Sequence, residues 1–164
     1  MCGAAAAPVG ERVALHGHGQ RERVQLGIGR LGDRPAIGVV RVRRYQCQRC
    51  ASVVVVVPHG VLPSMRYTAL SVALSLALWS VHQQPGHRIR ERVSPLASSG
   101  YEVLHGWRAL GRWAVRGARI FDLRAGPSGL ARALALDVTR KLAARALMAS
   151  GQLVLDACAG ALRA

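Results

Sequence analysis

Aromatic residues are scarce in this chain of 164 residues, which holds one Phe, three Tyr and three Trp. Apolar residues nevertheless make up 51% of the sequence, so a hydrophobic core can form. That core has to be built from Val, Leu and Ala, and we expect it to be rich in helices. The length suits one domain of ordinary size or two small modules.

Acidic residues are also few, with eight Asp and Glu against 23 Lys and Arg and a formal net charge of +15. All but one of the basic residues are Arg. A surface with this charge repels itself unless a polyanion is near, so nucleic acid is the leading predicted partner. A genome rich in G and C explains Arg in place of Lys, but it does not explain the shortage of acids.

Long hydrophobic runs and secretion signals are missing as well. The most apolar window, residues 68–81, is shorter than the roughly 20 residues that a bilayer-spanning helix needs. The N-terminal segment has no basic region followed by an apolar core. Four cysteines do not indicate a secreted disulfide scaffold at this length. We therefore expect a cytoplasmic protein with no membrane partner and a buried helix over 68–81.

A catalytic arrangement of carboxylates is not evident either. Phosphoryl transfer on two Mg²⁺ ions needs three gathered carboxylates, but the acids here are scattered and no strand order gathers them. The G-x-G-x-x-G pattern at 27–32 is followed by Pro35 rather than by a helix, so it does not predict a phosphate loop. No Ser/His/Asp or Cys/His nucleophile set is suggested. We therefore predict that the chain is not an enzyme.

The order of the predicted elements indicates an α+β fold in which the strands come first. Apolar residues that alternate with basic or polar ones predict strands over 12–15, 21–29, 36–47 and 51–58, the last a buried valine strand. Helical patterns follow over 65–81, from Pro95, and over 101–116, 128–150 and 152–163. The predicted N-caps are Ser64 for the first helix, Ser94 for the short helix from Pro95, and Ser128 for the helix over 128–150. The chain therefore divides into a β-rich module at 1–62 and an all-helical module at 63–164.

Two cysteines at C-x₂-C spacing, Cys47 and Cys50, lie between predicted strands. In a cytosolic protein this spacing indicates a zinc site, a redox pair or chance. A redox pair of the thioredoxin type lies at the start of a helix that follows a strand. Strands on both sides therefore favour a metal-binding knuckle at a hairpin tip, and the module at 1–62 is predicted to be zinc-ribbon-like.

A zinc ribbon needs a second knuckle, and the only further cysteine of the β-rich module is Cys2, which is followed by Gly as in such knuckles. The predicted Zn²⁺ ligands are therefore Cys2, Cys47 and Cys50, one ligand short of a tetrahedron. Three explanations stay open. The true start lies upstream, or the site has decayed, or His16 or His18 is the fourth ligand.

Eight arginines are candidate phosphate contacts, because they surround the knuckle or align on a predicted helix. Both groups also have a plain structural explanation, as an edge strand protected from aggregation by its charge or as the solvated face of an amphipathic helix. Nucleic-acid contact is favoured for them jointly, since acids do not balance them. The eight residues are Arg41, Arg43, Arg44 and Arg49 near the knuckle, Arg66 at the start of the first helix, and Arg108, Arg112 and Arg116 on the helix over 101–116.

Two tryptophans and one cysteine are predicted to serve the core. Trp107 and Trp113 share the apolar stripe of the helix over 101–116, which favours core anchors over platforms for base stacking. Cys158 lies in the last predicted helix and is expected to be a small core residue.

Four segments together resemble a known family: HGHGQR at 16–21, RRYQCQRC at 43–50, VVPHGVLPSMRYT at 56–68 and GWRALGRWAVRG at 106–117. They are similar to the zinc-ribbon N-terminal region of a bacterial domain family of unknown function that is related to insertion-sequence transposases. The resemblance covers roughly residues 1–117. This chain departs from the family pattern in two places. The leading Cys of the first knuckle is absent, and Ala51 stands where a Gly is expected.

The resemblance implies a helix-turn-helix-like segment at about 90–117, with ribbon and helices contacting double-stranded DNA and with other mobile-element proteins as partners. Together with the scattered acids, it predicts a DNA-binding, transposase-related protein without its own catalytic centre. The alternative is a degenerate, non-catalytic remnant or a structural or interaction protein whose basic charge is only compositional. An RNA-binding ribbon is a third hypothesis.

Overall fold

Three strands followed by six helices form in the part of the chain that the structure, a computed structural model, describes: residues 10, 13–97, 100–123 and 130–163. The strands are β1 (Leu15–Gly27), β2 (Ala36–Cys47) and β3 (Val53–Val56). They form an antiparallel sheet in the order β1-β2-β3. The predicted α+β class, with strands before helices, is therefore confirmed.

The break predicted between two N-terminal strands is wrong. β1 is one strand, and its pairing with β2 continues across the segment of alternating His and Gly with a shift of register between Gly17 and Gln20. Gly19 lies in the left-handed region with φ +85°, where a residue without a Cβ is not strained. The glycines therefore absorb a bulge inside the strand instead of ending it.

One face of the sheet is covered by the bridge, which we define as residues 57–68. Val42 on this face is 1% exposed. Arg23 of β1, which pairs with Val40 on the same face, reaches the bridge, where its Nη2 donates to the carbonyl oxygens of Met65 (2.9 Å) and Leu62 (3.3 Å). The backbone of the bridge is thus fixed to the sheet by a guanidinium group.

The opposite face of the sheet is open. Val39 and Ile37 on this face are 60% and 61% exposed. The valine strand β3 is also more exposed than predicted, since Val53, Val55 and Val56 are 41–52% exposed. Because β3 is a short edge strand with β2 as its one neighbour in the sheet, its side chains are not enclosed. The prediction of a buried valine strand is therefore wrong.

The helices begin and end at residues that differ from several predicted boundaries. Their bounds are α1 (Ala69–Ser80), α2 (Gly86–Val93), α3 (Gly100–His105), α4 (Ala109–Ile120), α5 (Ala131–Ala143) and α6 (Leu153–Ala161). The side chains of residues 102–104 and the predicted cap at Ser128 lie outside what the structure describes.

Two predicted N-caps are wrong, and for Ser64 the reason is conformational. Ser64 has φ +58°, whereas an N-cap residue is extended. Thr68 caps α1 instead, with its Oγ1 accepting from the backbone N–H of Ser71 at 3.1 Å. Ser94 ends α2 rather than starting a helix at Pro95.

Two predicted helices are also shorter in the structure. The helix predicted over 101–116 is divided into α3 and α4 at Gly106, which has φ +75°. The helix predicted over 128–150 ends at Ala143, well before the Gly151 that was expected to stop it. A left-handed glycine interrupts the hydrogen-bond ladder in the first case, whereas nothing in the sequence marks the end of α5.

The start of α1 and the end of β1 are joined by hydrogen bonds. The backbone N–H of Leu26 donates to the Arg66 carbonyl at 2.7 Å, and that of Thr68 donates to the Leu26 carbonyl at 3.0 Å. The backbone N–H of Ile28 donates to Ser71 Oγ at 2.9 Å. The sheet is therefore tied to the helical layer at one corner, while the division near residue 62 stays a prediction.

The core lies mainly between helices and is built from small and branched side chains, as predicted. α1 packs against α4, α5 and α6. Gly160 in α6 lies against the Leu142 carbonyl of α5, where an added Cβ would overlap the oxygen. Gly117 in α4 lies against Val138, whose Cγ1 would be 2.7 Å from such a Cβ. The absence of side chains at these two positions lets the helices approach closely.

An aromatic cluster of Tyr67, Trp107 and Trp113 joins the bridge to α4. The three rings meet edge to face, with centroids 5.7 Å (Tyr67–Trp107), 5.1 Å (Tyr67–Trp113) and 4.9 Å (Trp107–Trp113) apart. Both tryptophans are buried. Their predicted role as core anchors is therefore confirmed.

The last helix is held by polar and apolar contacts. Asp156 in its first turn accepts hydrogen bonds from the backbone N–H and the hydroxyl of Ser150, both at 2.7 Å. These bonds hold the pKa of the Asp156 carboxyl below its ordinary value. Cys158 is fully buried, as predicted, and burial raises the pKa of its thiol to about 11.

Substitution of Gly160 by Ala tests the close approach of α6 and α5. We expect Gly160→Ala to lower the free energy of unfolding by about 1–3 kcal/mol or more, because the backbone of Leu142 cannot move aside without repacking. The matched control is Gly111→Ala in α4, whose Cβ would meet Ala131 at an ordinary 3.7 Å. We expect the control to raise stability by about 0.5–1 kcal/mol. Equal effects of the two substitutions in urea unfolding would contradict this account.

Candidate nucleic-acid interface

The C-x₂-C segment forms the turn that joins β2 to β3. The backbone N–H of Ala51 donates to the Cys47 carbonyl, and that of Cys47 donates to the Ser52 carbonyl, both at 2.9 Å. Ala51 has φ +55°. Gly adopts this left-handed conformation without strain, which gives a physical reason for the Gly that the resemblance predicts at this position.

Of the three predicted Zn²⁺ ligands, the structure describes two, Cys47 and Cys50, whereas a structural zinc site requires four. Cys47 is buried and Cys50 is exposed, while Cys2 lies outside the described residues. His16 Nε2 is hydrogen-bonded to the Val13 carbonyl at 2.9 Å. Within the described ranges no three His, Cys, Asp or Glu side chains form a group that could hold a metal ion. A Zn²⁺ site therefore stays a prediction that needs Cys2 and a further ligand.

The four arginines near the knuckle do not form one cluster. Arg41 and Arg43 are exposed on the open face of the sheet, because alternate residues of β2 share a face with Val39. Arg44 points to the face that the bridge covers and is half-buried, and Arg49 is exposed in the C-x₂-C turn. Two of the four therefore share a solvent-facing surface.

The prediction that Arg66 lies at the start of the first helix is wrong. Arg66 lies in the bridge, ahead of the cap residue Thr68. Its side chain is exposed. Its backbone carbonyl is the one that accepts the hydrogen bond from β1, so the position of Arg66 is fixed by the joint between sheet and helices.

The three arginines predicted to share a helical face do lie on the exposed side of α4 or at its start. Arg108 precedes α4 and donates from Nη2 to the hydroxyl of Tyr101 at 2.6 Å, with its guanidinium 5.5 Å from the ring centroid. Arg116 donates from Nη2 to the Pro63 carbonyl at 2.8 Å. Arg112 lies between them and is exposed. Two of the three therefore also stabilise neighbouring segments.

Arg119 belongs to the same face, and the sequence analysis missed it. Arg112, Arg116 and Arg119 are spaced by four and then three residues, which is the helical repeat, but the structure was needed to show that α4 continues to Ile120. Arg119 was missed because the predicted helix ended at 116; the helical spacing is the signal that could have found it once the helix is continued.

These three arginines line a shallow groove of about 670 Å³ beside α4. The remaining lining residues are small or apolar, namely Gly111, Val115, Ile120 and Ala131. Among the described residues, no carboxylate lines the groove. Neither Arg41 nor Arg43 lines it, so the sheet arginines and the helix arginines form two separate basic surfaces.

Acids do not neutralise the groove. In the described segments, the side chains of Arg112 and Arg119 make neither a hydrogen bond nor an ion pair. The two exposed ion pairs that the described residues form lie outside the groove: Arg88–Glu91 at 3.8 Å and Arg140–Asp137 at 3.5 Å. A guanidinium carries five N–H donors that suit phosphate or carboxylate oxygens. The groove is therefore arranged to accept an anion.

Several acids satisfy local backbone or side-chain groups. Asp33 Oδ2 accepts from the backbone N–H of Arg30 at 2.7 Å in the turn between β1 and β2. Glu91 and Asp137 pair with an arginine three residues away, and Asp156 binds Ser150. These contacts hold turns and helix faces in place.

Comparisons with known proteins give no relative. No protein-family model, curated protein or solved structure matches the chain significantly. Among the described helices, none has the length and apolar character that crossing a bilayer requires.

Replacement of Ala51 by Gly tests the strain in the C-x₂-C turn. We expect Ala51→Gly to raise the free energy of unfolding by about 0.5–1 kcal/mol, because Gly adopts positive φ without the steric cost that Cβ imposes. As a control, Ala133→Gly on the exposed face of α5 should lower it by about 1 kcal/mol. A loss of stability in both variants, measured by thermal unfolding, would show that the turn is not strained.

Proposed function

We propose that this protein binds double-stranded DNA, with α4 lying against the sugar-phosphate backbone through Arg112, Arg116 and Arg119. The observation that carries the proposal is the groove that these three side chains line, with no carboxylate among its described lining residues. A net charge of +15 supports a polyanionic partner. The groove is the place where that charge is exposed, aligned and not neutralised.

The spacing of the arginines suits a backbone contact. A helix rises 1.5 Å per residue, so Arg112 and Arg119 are separated by about 10 Å along the axis of α4. This separation allows the two side chains to reach different phosphates of one strand, and each neutralised phosphate releases condensed counterions. Such contacts position a protein on DNA without reading its sequence.

The open face of the sheet is the second surface in this proposal. Arg41 and Arg43 lie there beside exposed apolar side chains such as Val39. A guanidinium next to an apolar patch can bind a phosphate while the patch packs against a sugar. Of the four other predicted contacts, Arg44, Arg49 and Arg66 lie around this sheet and its joint with the helices, and Arg108 lies at the start of α4.

The relation to transposases is proposed on the resemblance of the four quoted segments alone. In that proposal α3 and α4 correspond to the helix-turn-helix-like segment, and the C-x₂-C turn corresponds to the second knuckle of the zinc ribbon. We assign no catalytic step to the chain. The proposed role is to hold DNA, with other mobile-element proteins as partners.

The dependence of DNA affinity on salt tests the groove. We expect log affinity for a duplex of mixed sequence to fall steeply with log salt concentration. Arg112→Ala/Arg119→Ala should flatten that slope by about 0.9 for each arginine, or about 1.8 together. Arg116 is left intact because it also holds the Pro63 carbonyl. Fluorescence anisotropy of a labelled duplex, at salt concentrations from roughly 50 to 300 mM, measures the affinity and hence the slope.

The matched control is Arg88→Ala/Arg140→Ala, which removes the same charge from positions where an acid already pairs with each arginine. We expect the control to change the slope much less. If both double variants flatten the slope equally, binding is diffuse and the groove is not the site. If duplex DNA does not bind even at low salt, the charge is compositional, and if RNA competes better than duplex DNA, the partner is RNA.

The sheet surface is tested separately with Arg41→Ala/Arg43→Ala. We expect this variant to weaken duplex binding and to reduce the salt slope by about 0.9 for each arginine. Both side chains are exposed and make no hydrogen bond within the described residues, so the fold should be retained. Circular dichroism checks the fold. An unchanged affinity would remove the sheet from the DNA-binding surface and leave α4 alone.

A further inference from the structure

A cavity of about 310 Å³ lies between the bridge and four helices, α1, α4, α5 and α6. Its walls are formed by side chains such as Val72, Leu76, Trp113 and Val138, most of which are buried. Apart from the Trp113 indole and two arginines, the side chains that line it are apolar. Water inside an apolar cavity lacks the two to four polar partners that hold buried water in place.

The cavity has a cause in the sequence. Its lining includes Ala69, Ala73, Gly117 and Ala161, which have no side-chain atom beyond Cβ. In a chain with few aromatic residues, these positions leave space that larger side chains would fill. The volume lies at the lower end of the roughly 300–1,000 Å³ found for ligand pockets.

In the part of the chain that the structure describes, Arg116 and Arg145 are the charged residues that line the cavity, and no acid does. Arg116 uses one N–H of its guanidinium on the Pro63 carbonyl, so other donors remain. The Arg145 guanidinium lies 5.2 Å from the centroid of the Phe121 ring and makes no hydrogen bond within the described residues. Both arginines are solvent-exposed, so they mark the mouth of the cavity rather than its base.

We propose that this cavity binds a straight-chain fatty carboxylate, with its apolar chain between α1 and α5 and its carboxylate on Arg116 and Arg145. The apolar walls and the cationic mouth are complementary to the two ends of such a molecule. A volume of about 310 Å³ corresponds to roughly ten water molecules at liquid density. Since a methylene group fills about the same space as a water molecule, a chain of about ten carbons fits.

Titration of the intact protein with decanoate, below the concentration at which it forms micelles, tests the proposal. We expect saturable binding of one decanoate, seen by calorimetry and by a change in tryptophan fluorescence because Trp113 lines the cavity. Decanol, which lacks the charge, and acetate, which lacks the chain, should each bind at least about tenfold more weakly. Decanol binding as tightly as decanoate, or no saturable binding of decanoate, would overturn the proposal.

Two kinds of variant separate the cavity from adsorption to a basic surface. Arg145→Gln should weaken decanoate binding by about tenfold and leave decanol binding unchanged. Arg132→Gln is the matched control, because Arg132 also stacks on an aromatic ring, 5.4 Å from the centroid of Trp79, but does not line the cavity. Equal losses in the two variants would show that decanoate binds to surface charge.

The cavity itself is tested by filling it. Ala73→Leu should abolish binding of both decanoate and decanol, because the added side chain occupies the space of the ligand. If this variant does not fold, Ala161→Val at another wall serves the same purpose. Retention of full decanoate affinity in a folded variant would overturn the proposal. No nucleic acid is present in these titrations, so their outcome is independent of DNA binding.

Discussion

The arrangement of the helical layer depends on the packing of Tyr67 against Trp107 and Trp113. In a chain with seven aromatic residues, three meet in this one cluster. Tyr67 forms an isolated bridge with Leu26 of β1, and its hydroxyl is hydrogen-bonded to Ser94 Oγ at the end of α2. One residue thus joins the sheet through its backbone and α2 and α4 through its side chain. Each edge-to-face ring pair adds about 0.5–1.5 kcal/mol beyond the area buried. The direction in which α4 presents its arginines follows from this contact.

The class of fold and the order of elements could be predicted because the period of the hydrophobic pattern changes along the chain. Boundaries were predicted less well where a conformation rather than a pattern decides them. The positive φ of Ser64 moves the start of α1 to Ala69, and the positive φ of Gly106 divides a helix that looks continuous in sequence. The exposure of β3 depends on its position at the sheet edge, which the pattern of a single strand does not contain.

The candidate site could be predicted in part. Helical spacing placed Arg112 and Arg116 on one face, and the structure brings them together with Arg119. Spacing could not show that Arg116 holds the Pro63 carbonyl, because that contact joins residues far apart in the sequence. Alternation along β2 puts Arg41 and Arg44 on opposite faces, but it could not show which of those faces the bridge covers, since tertiary packing decides that.

Arg116 lines both the groove beside α4 and the mouth of the cavity beneath it. One guanidinium therefore belongs to two surfaces, and an anion that engages it from one side lowers the number of donors available on the other. In the two proposals, an anion bound in the groove therefore lowers the affinity of the cavity for its ligand, and a ligand in the cavity lowers the affinity of the groove. Such a linkage is reciprocal, since the factor by which the first ligand weakens the second equals the factor by which the second weakens the first. A single side chain at the junction of α4 and the bridge is sufficient to couple them.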